Sequence, residues 1–335
     1  MTFRRLSLFA LALLAVLAAA YGAYWFHVAG EVRKGLDDWA ARIRAGGGQA
    51  RWDQASGFGF PFRVGLRLTA PLLSMPPGQW QAEALTLEAA PFDLTRVTLT
   101  ATGRHRIATA RGETELTAGH LSAVVRLTAR GILENAVIRT ERLEMAGLAL
   151  ERGTLSIDPL PVGADAGHQT PTLTLGLSLQ GLDLPKTLPL LLGPRVETAE
   201  LAATVKGGLP PGPLPKAIRA WAADGGVLDV SKLALDWQQV SVDGDGTLAL
   251  DPAGQPLAAL ALRVRGLPLL MDRLAESGMV EAGAANALKF VLMMMSKPDS
   301  QGRPAIAVPV SVQESQIYLG PAPLTRFPAL VWPEE

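Results

Sequence analysis

The chain has 335 residues, of which 48% are hydrophobic and 19% are charged. This composition is typical of a folded protein and excludes an intrinsically disordered one. The 31 basic and 31 acidic residues cancel, so the chain has no excess positive charge with which to bind the phosphate backbone of a nucleic acid. Because there are no cysteines, disulfides, thiolate zinc sites and cysteine nucleophiles are also excluded.

Residues 1–27 predict a membrane anchor. Arg4 and Arg5 precede an apolar run, Leu6–Phe26, that contains no charged residue. As a helix this run would be about 31 Å long, enough to cross a hydrocarbon core of about 30 Å. Basic residues before the run and aromatic residues at its far end predict a single pass through the inner membrane, with the N-terminus in the cytoplasm and the body in the periplasm. The alternative is a signal peptide cleaved near Ala18–Ala20, which would also export the body.

Residues 28–49 predict an amphipathic helix that continues from the membrane segment, followed by a glycine turn. Val32, Leu36 and Trp39 recur at helical spacing. They would form one apolar face, because residues three or four positions apart lie on the same side of a helix. The run Gly46–Gly48 ends the helical pattern, since glycine lowers helix stability and allows the backbone to turn.

Residues 50–335 predict a single β-rich body. The most regular alternation of apolar with polar or small residues has leucine at positions Leu173, Leu175, Leu177 and Leu179. Similar segments recur along the chain, separated by turn signals too short to hold a helix, which favours antiparallel meander pairing. The predicted fold class is therefore mainly β with few helices: an extended, curled antiparallel meander sheet packed on amphipathic helices and preceded by one transmembrane helix. Residues 182–215, rich in proline and glycine, are a possible boundary within the body.

Three stretches resemble copies of one β-hairpin. They are Trp80–Gly103, Ile138–Pro159 and Leu228–Pro252, and each has two alternating segments separated by a short break. The pattern predicts hairpins that extend one sheet. Helical spacing returns at Pro213–Ala223 and at Leu267–Lys297, where Gly278 divides the segment into two predicted helices.

No residue pattern predicts a catalytic centre, a metal site or a cofactor. The four histidines are dispersed, and the chain lacks both the glycine-rich loops that bind nucleotide phosphates and the serine-hydrolase motif. Asp243–Gly246 reads Asp-Gly-Asp-Gly, like the beginning of a calcium-binding loop. The twelfth position of that loop would be Gly254 instead of an acid. The segment is therefore predicted to be a hairpin turn, which Asp-Gly favours.

The order of several motifs resembles an alphaproteobacterial envelope family, the domain-of-unknown-function family 2125 (DUF2125). After the basic and apolar N-terminus come Trp39, the segment Gly59–Arg63 (Gly-Phe-Pro-Phe-Arg) and Trp80, and Leu319–Leu324 lies near the C-terminus. The resemblance covers nearly the whole chain, and the family assigns no catalytic residue. A looser likeness is to the AsmA-type proteins, which are anchored in the inner membrane and present an apolar sheet face to lipids. It implies the same arrangement for this chain.

The predicted function is non-enzymatic: an envelope protein whose apolar trough binds membrane lipid or acyl chains in lipid traffic or envelope assembly. Many strands offer an apolar face, and few helices are available to cover it. The predicted lipid-contacting residues are Phe60, Phe62, Leu173, Leu175, Leu177, Leu179, Leu288, Leu292 and Met295. Two alternatives stay open. One is a scaffold with a self-filled core that binds another envelope protein, and the other is a cell-envelope hydrolase that uses acids such as Asp229, Asp236 and Asp243.

Overall fold

A computed structural model describes most of the chain. The described residues are 2–75, 78–109, 112–163, 167–185, 192–210, 212, 214–276, 283, 286, 289–290, 294, 296–298, 302–320 and 322–332. The chain divides into two compact units, Met1–Leu133 and Glu134–Glu335. This division lies inside the segment predicted as a single body, and residues 182–215 belong to the second unit.

Among its described residues, the first unit has one helix and seven strands. Helix α1 spans Thr2–Ala45. The strands are β1 (Gln49–Arg51), β2 (Gln54–Phe58), β3 (Val64–Thr69), β4 (Leu72–Met75), β5 (Gly78–Ala90), β6 (Asp93–Thr109) and β7 (Gly112–Leu127). The pairings are antiparallel: β1 with β4, β2 with β3, β4 and β3 with successive halves of β5, β5 with β6, and β6 with β7.

Helix α1 joins the two predicted N-terminal segments without a break. Its N-terminal part is apolar enough to span a membrane, and large side chains there are exposed, such as Phe9 at 77% and Leu14 at 68%. Its C-terminal part is amphipathic and buries Leu36 against the sheet. The helix ends in the predicted glycine turn, where Gly47 has a φ of 83° and the amide of Gly48 donates to a carbonyl in the last turn.

The first unit's sheet has one apolar face, because residues directly opposite each other in a strand pair point to the same side. Leu66 of β3 lies opposite Leu87 of β5, which lies opposite Leu99 of β6. A second row pairs Val97 of β6 with Val125 of β7. These rows form a continuous aliphatic surface across the sheet.

Among its described residues, the second unit has eleven strands and two helices. In chain order they are β8 (Leu133–Met145), β9 (Leu148–Pro159), β10 (Pro171–Asp183), β11 (Arg195–Lys206), α2 (Leu214–Ala223), β12 (Val227–Trp237), β13 (Val240–Leu250), β14 (Pro256–Arg265), α3 (Leu267–Glu276), β15 (Lys297–Pro298), β16 (Pro304–Gln313), β17 (Gln316–Leu319) and β18 (Ala322–Arg326). The strands from β8 to β14 pair in sequence as an antiparallel meander, and β14 then pairs with β16. The short strands β15 and β17 also pair with β16, and β18 pairs with β17.

The two faces of the second unit's sheet differ in chemistry. Leu175 of β10 lies between Ile157 of β9 and Ala203 of β11, and the apolar row continues to Val230 of β12. The other face has ion pairs between neighbouring strands: Lys206 with Asp229, Lys232 with Glu200, and Arg263 with Asp243. One apolar and one charged face is typical of an antiparallel sheet that faces water on one side only.

Helix α2 buries Ala217 and Trp221. Trp221 is buried, and its indole Nε1–H donates to the carbonyl oxygen of Lys206 at 2.8 Å. The ring lies against Gly226, where an added Cβ would be only 2.2 Å from it. The position therefore requires a glycine because of close packing.

The predicted fold class is confirmed, since the chain is mainly β with few helices and antiparallel pairing. The three predicted hairpins are β5–β6, β8–β9 and β12–β13. Of the predicted helices, Pro213–Ala223 contains α2 and the segment before Gly278 contains α3. Most of the predicted helix after Gly278 lies outside the described residues.

The prediction of a hairpin turn at Asp243–Gly246 is wrong. These residues lie inside β13 and pair with both β12 and β14. The turn between β12 and β13 occurs earlier, at Gln238, which has a φ of 55°. Gly244 and Gly246 are needed because a Cβ at either position would lie 2.2 Å from a carbonyl oxygen of β14. Their role is to allow close approach of two strands.

Candidate functional site

A cavity of about 700 Å³ lies in the first unit between α1 and the apolar face of the sheet, and we call it the apolar groove. Val32, Leu36 and Trp39 line it from the helix. From the strands it is lined by Val64, Leu66, Leu68, Leu72, Leu73, Trp80, Leu85, Leu87, Val97, Leu99, Val125 and Leu127. Its volume is within the range of about 300–1,000 Å³ that is typical of small-molecule sites.

Two buried clusters fix α1 on the sheet. Trp25 and Val28 pack with Val64. About two helical turns further along α1, Leu36 packs with Leu66 and Leu68. In both clusters the sheet residues belong to β3, which lies beneath the helix. The helix wall of the groove is thus held in place by ordinary hydrophobic packing.

The groove exists because the sheet is wider than the helix. Three strand spacings separate β3 from β7 through β5 and β6, a distance of about 14 Å, whereas an α-helix with its side chains is about 10–12 Å in diameter. Because α1 contacts β1 and β3 at one side of the sheet, it does not cover the rows on β6 and β7. Leu99 and Val125 are accordingly only half-buried.

Charged side chains occur at the edges of the groove. Glu31 and Arg42 line it from the helix, and Arg51 and Glu88 line it from the sheet. The first three are exposed to solvent, and Glu88 forms an ion pair with Arg63 at 2.8 Å. An aliphatic interior with charges at the rim can bind an apolar chain and leave a polar group near water.

A buried histidine lies behind the groove. The ring of His105 stacks on Trp80, which lines the groove, with 6.0 Å between the ring centroids. His105 is 1% exposed, and within the described part of the chain neither of its ring nitrogens has a hydrogen-bond partner. Burial lowers the pKa of His105 below its usual value, and the charge of Glu83 opposes this only in part. The ring is therefore neutral at pH 7.

The structure places Phe60 and Phe62 outside the groove, in the loop between β2 and β3. Phe60 packs edge-on against Trp25, with 5.4 Å between the ring centroids. Phe62 is 84% exposed. Sequence reasoning missed a third such residue, Phe92 in the turn between β5 and β6, which is 77% exposed and stacks on Tyr24 at 5.7 Å.

The four predicted leucines, Leu173, Leu175, Leu177 and Leu179, lie on the same face of β10 in the second unit, and each is half-buried. They lie opposite apolar residues on both neighbouring strands, including Leu155 and Leu201 beside Leu177. The remaining predicted contacts, Leu288, Leu292 and Met295, lie outside the described residues.

The three acids named for a hydrolase each have a separate partner: Lys206 for Asp229 (2.7 Å), the Thr198 hydroxyl for Asp236 (2.8 Å) and Arg263 for Asp243 (2.8 Å). Hydrogen bonding, chiefly from Ser241, holds the pKa of Asp236 below its usual value. In the part of the chain that the structure describes, no group of three acidic or histidine side chains is placed to hold a metal ion.

The fold and the groove define a class: a mainly β protein with an N-terminal helix that is apolar enough to span a membrane and that packs, further along, over an apolar groove. Residues 25–328 match the family described as "Uncharacterized protein conserved in bacteria (DUF2125)". Because this match covers most of the chain, the protein belongs to that family, as the order of its motifs predicted. No curated protein and no solved structure matches the chain.

Proposed function

We propose that this protein is a non-enzymatic envelope protein that holds the acyl chains of membrane lipids in its apolar groove. In this proposal α1 anchors it in the inner membrane, both units lie in the periplasm, and the protein acts in lipid traffic or envelope assembly. The observation that carries the proposal is the groove itself, a cavity of about 700 Å³ with aliphatic and aromatic walls.

The lining of the groove favours an acyl chain over a polar ligand. Each CH₂ group that leaves water gains about 0.8 kcal/mol, and neighbouring strands present parallel rows of leucine and valine to such a chain. The charged residues Glu31, Arg42 and Arg51 lie at the edges of the groove, where a lipid headgroup would remain solvated.

The position of the groove on α1 also supports a lipid ligand. The same helix contains the apolar N-terminal part and the groove wall formed by Val32, Leu36 and Trp39. If the N-terminal part spans the membrane, the groove is held near the bilayer, where lipid is abundant. A high local concentration then compensates for weak affinity.

The test is photocrosslinking in cells with the full chain. A photoreactive phenylalanine analogue replaces Leu99, which lines the groove, and in a matched variant it replaces Thr100, the next residue on the other face of β6. We expect crosslinks to radiolabelled phospholipid from position 99 and not from position 100. Crosslinks from position 99 only to another protein would replace the lipid proposal with the scaffold alternative, and equal labelling from both positions would contradict a groove-specific ligand.

Blocking the groove provides the second control. Leu87→Glu places a carboxylate among aliphatic side chains, where burial of an unpaired charge is costly, and should abolish lipid crosslinking from position 99. Thr86→Glu puts the same charge on the opposite face of β5 and should leave crosslinking unchanged.

The predicted lipid contacts of the second unit are tested in the same way. The analogue at Leu177, in the apolar row of β10, should label lipid, whereas at Ser178 on the other face it should not. Labelling from position 99 without labelling from position 177 would restrict the lipid site to the first unit.

A further inference from the structure

We propose that two loops of the first unit, Gly59–Arg63 and Pro91–Asp93, dock into the same bilayer that α1 spans. We call them the aromatic tips. In this arrangement Phe60, Phe62 and Phe92 lie at the boundary between acyl chains and headgroups. The inference rests on α1 being the membrane anchor of the proposed function, and it does not depend on lipid binding in the groove.

Hydrogen bonds attach both tips to the end of the apolar run of α1. The Tyr21 hydroxyl donates to the carbonyl oxygen of Pro61, the Tyr24 hydroxyl to that of Pro91 (2.8 Å), and the Trp25 indole to that of Arg63 (2.8 Å). The rings of Phe60 and Phe92 also pack on Tyr21, with centroid distances of 6.4 and 6.0 Å. The tips are therefore fixed at one level along the helix.

That level is the edge of the bilayer. The part of the run before Tyr21, Leu6–Ala20, rises about 22 Å as a helix, which is less than the roughly 30 Å of a hydrocarbon core. A span must therefore include part of Tyr21–Phe26, the segment that the tips contact. Since side chains on a helix tilt toward its N-terminus, the groups bonded to Tyr21 lie deeper than its backbone.

The exposed surface of the tips is suited to this environment. Phe62 is 84% exposed, Phe92 77% and Phe60 56%, although all three are large and apolar. Aromatic residues are enriched at membrane interfaces, where they anchor proteins. The aliphatic surface of α1 just below the tips is also exposed, with Val16 at 65% and Leu17 at 59%.

Basic residues lie beside the tips. Arg63 ends one tip, and Arg96 follows the other by three positions. Arg96 lies directly opposite Arg126 in the β6–β7 pair, an arrangement of like charges that is unfavourable in isolation. Anionic lipid headgroups would neutralise the guanidinium groups of Arg96 and Arg126, whereas Arg63 already has an ion pair with Glu88. Asp93 beside Arg126 offsets part of the charge, and hydrogen bonds from Thr95 chiefly keep the pKa of Asp93 low.

Docking of the tips would bring the groove to the membrane surface. Val64 follows one tip, Ala89 and Leu94 flank the other, and all three line the groove. The near end of the groove then meets the bilayer boundary, so that an acyl chain can enter it without crossing water.

The absence of native cysteines makes a depth measurement direct. Single cysteines replace Phe62 or Phe92 in the full chain and carry a nitroxide label, and the protein is reconstituted in vesicles of phosphatidylethanolamine and phosphatidylglycerol. Leu13→Cys serves as the reference within the bilayer and Thr117→Cys as the reference in water, since Thr117 is exposed and lies about 30 Å along β7 from Arg126. Collision with oxygen, which concentrates in lipid, is compared with collision with a water-soluble nickel chelate.

Labels at 62 and 92 should be protected from nickel and accessible to oxygen, as at Leu13, whereas the label at Thr117 should show the reverse. The inference is overturned if the label at Leu13 is protected while those at 62 and 92 behave like Thr117. If the nickel chelate also reaches the label at position 13, both the membrane anchor and the docking of the aromatic tips are contradicted. A groove that fails to crosslink lipid from position 99 leaves these outcomes unchanged, so the two failures are distinguishable.

Discussion

Truncation of Leu66 measures how firmly α1 is held on the sheet. Leu66 is 3% exposed and packs with Leu36 and Leu68. Leu66→Ala removes three carbon atoms, and at about 0.8 kcal/mol per CH₂ the loss is about 2.4 kcal/mol. Since Leu66 also lines the groove, the vacated space joins an existing cavity instead of forming a new closed one. The cost should therefore lie at the low end of the roughly 2–5 kcal/mol that buried leucines show.

The assay is native-state hydrogen exchange followed by mass spectrometry on the full chain. A loss of about 2.4 kcal/mol corresponds to roughly 50-fold faster exchange, expected in peptides that cover β3 and its partner β5. Thr69→Ala is the matched control, because Thr69 is exposed on the other face of the same strand. It should change stability by less than about 0.5 kcal/mol. Leu36→Ala combined with Leu66→Ala should cost less than the sum of the two, because both remove the same contact.

Exchange in β3 that stays within about twofold of the parent protein would refute the argument, since the helix would then be held by contacts other than Leu36 and Leu66. An equal acceleration in peptides of the second unit would refute it differently, by showing that the loss is not confined to the helix and sheet of the first unit.

Two further predictions concern single residues, and a third concerns the orientation of the chain in the membrane. Because the pKa of His105 is lower in the folded chain than its usual 6.5, the unfolded chain takes up a proton first as the pH falls. The free energy of unfolding should therefore decrease below about pH 6.5, by at most about 1.4 kcal/mol per pH unit, and His105→Leu should remove this dependence in urea titrations followed by tryptophan fluorescence. Gly226→Ala should displace Trp221 and cost about 1–3 kcal/mol in the same titrations, whereas Gly208→Ala, with open space around it, should be neutral. A reporter that is active only in the cytoplasm, fused after the last residue, should be silent, and replacement of the two N-terminal arginines by acidic residues should raise its signal.

The strands and their faces could be predicted from the sequence because alternation is a local property. Leu173 to Leu179 form the row that their spacing predicts, and the three hairpin units all pair as antiparallel hairpins. Helix α1 could also be predicted, because the length of the apolar run, the spacing of the apolar residues after it and the glycines at Gly46–Gly48 all indicate a helix that ends there.

The groove could not be located in this way. Trp39 and Leu99 each belong to a correctly predicted apolar face, but their meeting depends on which part of a wide sheet α1 covers, and local spacing does not contain this information. Phe92 was missed because a single phenylalanine in a turn has no periodic pattern. The prediction at Asp243–Gly246 was wrong because Asp-Gly is common in turns, where glycine is needed for its conformational freedom. Here the glycines are needed because the backbone of β14 approaches too closely for a side chain.

In the second unit, too, the apolar face of the sheet is wider than either α2 or α3. Its apolar row crosses seven strands from β9 to β14 and on to β16, a distance of about 29 Å, whereas α2 and α3 are each about 15 Å long. Neither helix alone is as long as the row, and residues in its middle, such as Leu177 and Leu235, are half-buried. A half-buried aliphatic surface of this extent rarely stays bare in a functional protein. We therefore extend the lipid proposal to β10. If the photoreactive analogue at Leu177 labels only protein, the apolar face of the second unit is a protein-binding surface, and lipid binds only in the groove of the first unit.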